Sequence, residues 1–118
     1  MKYIAIKNHR SEFPEPITFA KGDHLQIGEE YKGPEDWDNW HFCTTTNHQE
    51  GWVPAQIIKW TDTGNGIATQ DYTARELDVN EGDELSASKS INGWAWCCRL
   101  SDQQTGWVPL EILQEAVG

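Results

Sequence analysis

The chain of 118 residues is poor in positive charge: 9 Lys plus Arg stand against 19 acids, and the formal net charge is −10. Phosphate backbones and anionic membrane surfaces are held by clustered Lys and Arg, so neither nucleic acid nor a membrane is an expected partner. No run of eighteen apolar residues occurs, which leaves no spanning helix. Residues 1–10 lack the long apolar core of a signal peptide and read as mature protein. The 3 cysteines are too few, and odd in number, for a disulfide framework, so a reducing cytoplasm is the expected location. Catalytic signatures are missing as well. There is no nucleophile elbow, no Gly-rich phosphate loop and no paired-His metal motif, and no pair of acids is singled out by spacing. A non-enzyme without cofactor or metal is expected.

Aromatics are abundant, with 7 Trp, 3 Tyr and 3 Phe. Acidic disordered chains avoid such residues because they cannot bury them. These rings cover considerable apolar area once packed, and they argue for a folded chain.

The sequence repeats itself. Gly51-Trp52-Val53-Pro54-Ala55-Gln56-Ile57-Ile58 returns as Gly106-Trp107-Val108-Pro109-Leu110-Glu111-Ile112-Leu113, at an offset of 55. Lys21-Gly22-Asp23-His24-Leu25 matches Glu81-Gly82-Asp83-Glu84-Leu85 at an offset of 60. Asn39-Trp40-x-x-Cys43 matches Gly93-Trp94-x-x-Cys97 at 54, and Ala5 matches Ala68 at 63. The changing offsets confine insertions to three intervals, as loops on a fixed scaffold do. The expected organisation is a first domain over 1–60, a short linker over 61–66 rich in Thr, Asp and Gly, and a second domain over 67–118.

Tyr3-Ile4-Ala5-Ile6, Leu25-Gln26-Ile27, Trp40-His41-Phe42-Cys43 and Trp94-Ala95-Trp96-Cys97 read as short strands bounded by Gly, Asp, Asn or Pro. No stretch shows a sustained 3.6-residue period. Ala55–Ile58 and Leu110–Leu113 follow a proline and suit single 3₁₀ turns. About five short strands in under 60 residues imply an all-β chain of two small five-stranded barrels.

Both halves resemble Src-homology 3 (SH3) domains. The second half carries Ala68-Thr69-Gln70-Asp71-Tyr72, Glu76-Leu77-Asp78-Val79, Gly82-Asp83, Trp94 and Gly106-Trp107-Val108-Pro109 in the family's order. The first carries Ala5-Ile6-Lys7-Asn8-His9, Ile17-Thr18-Phe19, Lys21-Gly22-Asp23, Trp40 and Gly51-Trp52-Val53-Pro54. The resemblance implies SH3-like barrels in tandem and a binding activity in which a polyproline II segment packs between aromatic rings while an acid meets its Lys or Arg. In the second half it implies a groove of Tyr72, Trp94 and Pro109, with Glu76 and Asp78 supplying charge. In the first half it implies Trp40 and Pro54, with His9 at a groove position. The pattern departs at Gln70 and Ile112 in the second half, and at Lys7, His9 and Ile57 in the first, where the family has tyrosines. Pro16 stands at the place of the specificity acid, with Glu12 and Glu15 nearby.

Further readings follow from single residues. Cys43 and Cys97 share one repeat position and read as small core residues, whereas Cys98 points the other way as an exposed thiol. Trp52 and Trp107 read as partly buried sheet residues, Trp37 as a flank of the groove, and Trp60 as a residue of the seam between the halves. Residues 1–61 carry a net charge of −3 and residues 62–118 carry −7, so a basic ligand of the second half is expected. The expected function is therefore non-catalytic capture of a short basic or proline-containing peptide, mainly by the second domain. The alternatives are a structural or regulatory module with degenerate grooves, and a cell-wall-binding SH3-like protein.

Overall fold

In a computed structural model, residues 1–11, 15–32 and 39–116 are described. Short strands bounded by turns make up two five-stranded sheets and one two-stranded ribbon. The chain order is β1 Lys2–Ala5, β2 Thr18–Phe19, β3 His24–Glu30, β4 Trp40–Thr45, β5 Glu50–Pro54, β6 Ile58–Asp62, β7 Asn65–Ala68, β8 Tyr72–Thr73, β9 Glu84–Ile91, β10 Trp94–Arg99, β11 Thr105–Pro109 and β12 Leu113–Glu115. Single 3₁₀ turns over Ala55–Ile57 and Leu110–Ile112 follow Pro54 and Pro109. Proline fixes the extended entry to each turn and donates no hydrogen bond that the turn needs.

The strands divide into two units, and the division is not the one the repeat suggests. Unit 1 is Met1–Pro14 with Arg75–Gly118, and unit 2 is Glu15–Ala74. Unit 1 holds the sheet β11-β10-β9-β1-β12, and unit 2 holds β5-β4-β3-β7-β6 with the ribbon β2-β8. The first strand of each repeat thus completes the barrel built mainly from the other repeat. Residues 61–66, read from sequence as a linker, form strand ends and a hairpin turn instead. The Asp62 carboxylate accepts the Gly64 N–H and the Asn65 side-chain amide, both at 2.9 Å. This turns the chain straight back, so that β7 pairs with β6, Ile58 opposite Ala68. A hairpin closed by so short a turn costs little loop entropy, which favours this pairing over a crossing to the second repeat. In unit 1 the matching place is taken by β1, with Tyr3 opposite both Glu115 and Leu85.

The cores show that the two first strands are equivalent. Unit 1 packs Ala5, Leu77, Val79, Leu85, Ala95, Cys97, Val108 and Ile112. In unit 2 the repeat-related Ala68, Ile17, Phe19, Leu25, Cys43, Val53 and Ile57 are buried. Ala5 is 1% exposed and Ala68 2%, and fully burying each larger apolar side chain contributes about 1.5–3 kcal/mol. Gly22 and Gly82 hold φ of +91° and +93° in equivalent turns, a backbone region where a β-carbon is strained.

The exchange also moves charge. Unit 1 contains 6 basic and 9 acidic residues, net −3, and unit 2 contains 3 basic and 10 acidic, net −7. The unit that holds Glu76, Trp94 and Pro109 is therefore the less acidic one, the reverse of the assignment by sequence halves.

Candidate functional site

In unit 1, the segment that carries Glu76 lies along β11 because Gly106 permits it. A β-carbon on Gly106 would stand 2.7 Å from the Leu77 nitrogen and 2.8 Å from the Glu76 carbonyl carbon. With hydrogen there instead, Leu77 N–H donates to the Trp107 carbonyl at 3.0 Å, and Trp107 N–H donates to that of Arg75 at 2.9 Å. These bonds place Glu76 beside the sheet. From the other side, residue 9 pairs with residue 79: His9 N–H donates to the Val79 carbonyl at 2.9 Å and Val79 N–H donates to that of His9 at 3.0 Å. The two backbone ladders bring His9 Nε2 to 2.8 Å from Glu76 Oε1, with both side chains largely buried. The His9 ring meets Trp94 edge to face, with centroids 5.7 Å apart. Trp94 is half-buried at the start of β10, directly opposite buried Pro109 on β11. Asp78 is exposed and accepts the Ser11 N–H at 2.7 Å, and Arg99 donates to its backbone carbonyl.

The structure thus assembles His9, Glu76, Trp94 and Pro109, with Asp78 on the same segment as Glu76. His9 comes from the first repeat and the others from the second. Tyr72 is assigned to the other unit. It lies in unit 2, where its hydroxyl donates to the Trp52 carbonyl at 3.1 Å and its ring packs on Phe19 with centroids 5.5 Å apart. Trp40 and Pro54, opposite one another on β4 and β5, share unit 2 with Tyr72. All three are buried, Trp40 being 6% exposed. Glu15 is exposed and Pro16 half-buried. Glu12 and Trp37 lie outside the described residues.

One feature escaped the sequence reading. Trp96 and Trp107 are cross-strand neighbours, edge to face at 5.3 Å between centroids. The Arg75 guanidinium lies 5.7 Å from the Trp96 ring, and the Lys89 ammonium lies 6.0 Å from Trp96 and 5.7 Å from Trp107. At the repeat-related place in unit 2, Phe42 meets Trp52 at 5.2 Å and Tyr31 caps Trp52 at 5.3 Å. The signal was present in Trp94-x-Trp96, which puts two rings on one strand face. Trp60 is 43% exposed and sets its ring against His41 on unit 2, at 5.2 Å.

Cys43 and Cys97 are fully buried core residues, as expected. Burial pushes the Cys43 thiol up to about 12 and Cys97 up to about 11, because an apolar surrounding disfavours the thiolate. Cys98 is half-buried rather than exposed, its sulfur 3.6 Å from Gln103 Oε1. His41 Nδ1 is buried and has no hydrogen-bond partner among the described residues, and Nε2 lies 3.7 Å from Glu30. Among the described residues, no three His, Cys, Asp or Glu side chains converge as metal ligands.

Comparison with known proteins finds two copies of one domain along the chain. The chain is 24% identical over 136 aligned positions to the human SH3 and PX domain-containing protein 2B, covering 99% of the chain. It spans only 14% of that relative's length. No solved structure matches it. The family model of the variant SH3 domain matches twice, at residues 2–60 and 66–116. With two matched copies covering nearly its whole length, and two five-stranded sheets to accommodate them, the chain belongs to the variant SH3 domain family, whose members are non-catalytic protein-interaction modules.

Proposed function

We propose that the chain captures a short, basic, proline-containing segment of a partner protein through unit 1. The half-buried ring of Trp94, flanked by Pro109 and by the acid Glu76, carries this reading. A polyproline II ligand is already extended, so it loses little entropy when a proline seats against an indole face. Glu76 and Asp78 supply negative charge for a Lys or Arg at one end of the ligand. The site is a joint product of the two repeats, because His9 enters it on the exchanged segment.

Unit 2 favours a different role. Trp40, Pro54 and Tyr72 are buried and the tyrosine hydroxyl is already committed, which supports a structural part for this unit, with a degenerate groove. Titration of an Arg-containing proline-rich peptide, followed by backbone and indole amide shifts, tests both readings. Shifts are expected at Trp94, Glu76 and Val108 and not at Trp40 or Val53. Absence of any shift at millimolar peptide, or loss of none of the binding in Trp94→Ala, would overturn the proposal.

A further inference from the structure

We infer that His9 is the residue that sets the charge preference of the unit 1 site, and that its protonation turns basic ligands away. The inference rests on the binding reading above and deepens it. An ionised carboxylate can only accept, so in the bond between His9 Nε2 and Glu76 Oε1, at 2.8 Å, the hydrogen is on the imidazole. With neutral His9 the pair keeps a full negative charge for the ligand cation. With protonated His9 the pair is neutral as a whole, and the ligand's Arg or Lys finds its counter-charge taken. The side chains are 15% and 11% exposed, so water screens this exchange incompletely. The family has a tyrosine at this position, which has no charge change near neutral pH, whereas imidazole is the side chain that changes charge between about pH 5 and 8.

Among the described residues, the surroundings do not offer a competing switch. On the segment of His9 the charged neighbours are exposed Lys7 and Arg10. Arg10 is held by the Val79 carbonyl at 2.7 Å and by the Asn80 side chain. On the segment packed against it are Arg75, bonded to Thr105 at 2.7 Å, then Glu76, and Asp78, which accepts the Ser11 N–H. From β10, Trp94 presents a ring without charge and Arg99 is paired with Asp102 at 2.8 Å. His9 is the one imidazole in this group, and the rest are carboxylates, guanidinium groups and an ammonium. The ring contact with Trp94 also gives the imidazole a direct reporter, because a change of charge on a ring whose centroid is 5.7 Å away shifts the indole N–H resonance.

The test uses the full chain and a proline-rich peptide with Arg as its only charged residue type. Between pH 7.5 and 5.5 the wild-type chain is expected to lose about fivefold more affinity than His9→Gln, the scale of one partly exposed ion pair. The glutamine amide keeps a neutral donor for Glu76 at every pH. His24, His41 and His48 are present in both proteins, so their general effect cancels. In the peptide-free chain, the Trp94 indole resonance is expected to titrate with His9 and to stay fixed in His9→Gln and His9→Phe. Equal pH dependence in wild type and variants, with binding intact, overturns the role of His9 and leaves the binding reading standing. Absence of peptide binding at both pH values overturns the binding reading and the inference with it. An indole resonance in the free chain that ignores His9 overturns the coupling on its own.

Discussion

The Ala5 carbonyl accepts the Gly82 N–H at 2.7 Å, so the first alanine motif of the chain is tied to the second Gly-Asp turn and not to the first. The reciprocal bond runs from the Gly22 N–H to the Ala68 carbonyl, at 2.8 Å. Each is backed by a return bond, Ala5 N–H to Asp83 and Ala68 N–H to Asp23, at 3.0 and 2.9 Å. Further out, Ile6 N–H reaches Ile112 at 2.7 Å and Thr69 N–H reaches Ile57 at 2.8 Å. Two equivalent sets of bonds have been exchanged between repeats, which is why the barrels keep the same internal register while their segments come from different parts of the chain.

This exchange makes unit 2 a continuous stretch. A fragment of residues 15–74 contains β2 to β8, and should unfold in one cooperative step. A fragment of residues 1–60, cut at the repeat boundary, lacks β7 and must fill its place with β1. Closing a loop of about twenty residues instead of a tight hairpin turn costs about 2 kcal/mol. Urea unfolding of the two fragments checks this: 15–74 should be the more stable, and a 1–60 fragment of equal or greater stability would contradict the exchanged topology.

Gly106→Ala puts a methyl against the Leu77 nitrogen and Glu76 carbonyl carbon, backbone atoms that cannot swing aside as a side chain does. Overpacking of this kind costs about 1–3 kcal/mol. The displaced segment carries Glu76 away from His9. Chemical denaturation should show the loss of stability, and the His9 imidazole shifts should move toward those of an unpaired ring. Gly51→Ala, whose methyl would stand 2.7 Å from Cγ2 and 3.0 Å from Cβ of fully buried, β-branched Ile17, is expected to cost a similar amount.

Much of this was legible in the sequence. The repeated Gly-Trp-Val-Pro blocks marked β5 and β11, and the shared Cys43 and Cys97 position marked the core face. The strand exchange was not legible, because Ala5 and Ala68 fit either barrel equally well and nothing in their identities says which they enter. What decides is the tight Asp62–Asn65 turn, whose composition reads as a linker when the strands on both sides are taken to belong to different domains. The pairing of His9 with Glu76 was hidden for the same reason. Each residue was placed on a groove, but on grooves of different halves, and only the exchange makes them neighbours. The Arg75 and Lys89 contacts to Trp96 depend on strand register, which a single sequence does not reveal.

The buried thiols predict how stability depends on alkaline pH. In the unfolded chain Cys43 and Cys97 lose their protons near 9, and in the folded chain near 12 and 11. Folded-state values above the unfolded ones mean that the unfolded chain holds fewer protons as pH rises, so stability falls. The contribution is fully present below about pH 9 and is lost between about 9 and 12 for Cys43 and about 9 and 11 for Cys97, roughly 1 kcal/mol for each thiol by pH 10. Denaturation midpoints from pH 8 to 10 check this, with Cys43→Ala and Cys97→Ala each flattening the curve. At pH 8, alkylation of the native chain should modify Cys98 first, and Cys43 and Cys97 only after unfolding.

Tyr72 offers a test of whether peptide binding is confined to unit 1. By sequence position it belongs with Trp94 and Pro109, and a ligand crossing all three would feel its loss. In the structure its hydroxyl donates to the Trp52 carbonyl inside unit 2, and its ring packs on Phe19. Tyr72→Phe keeps the ring and removes the donor, leaving a carbonyl without that bond at a cost of about 0.5–1.5 kcal/mol. The loss should appear in the unfolding of unit 2, most directly in the 15–74 fragment. Peptide affinity at unit 1 should not change, whereas Trp94→Ala should lower it at least about tenfold, the scale of losing an anchoring aromatic. A Tyr72→Phe chain with unaltered stability and weakened peptide binding would put the tyrosine back beside Trp94 and argue that the repeats fold on themselves.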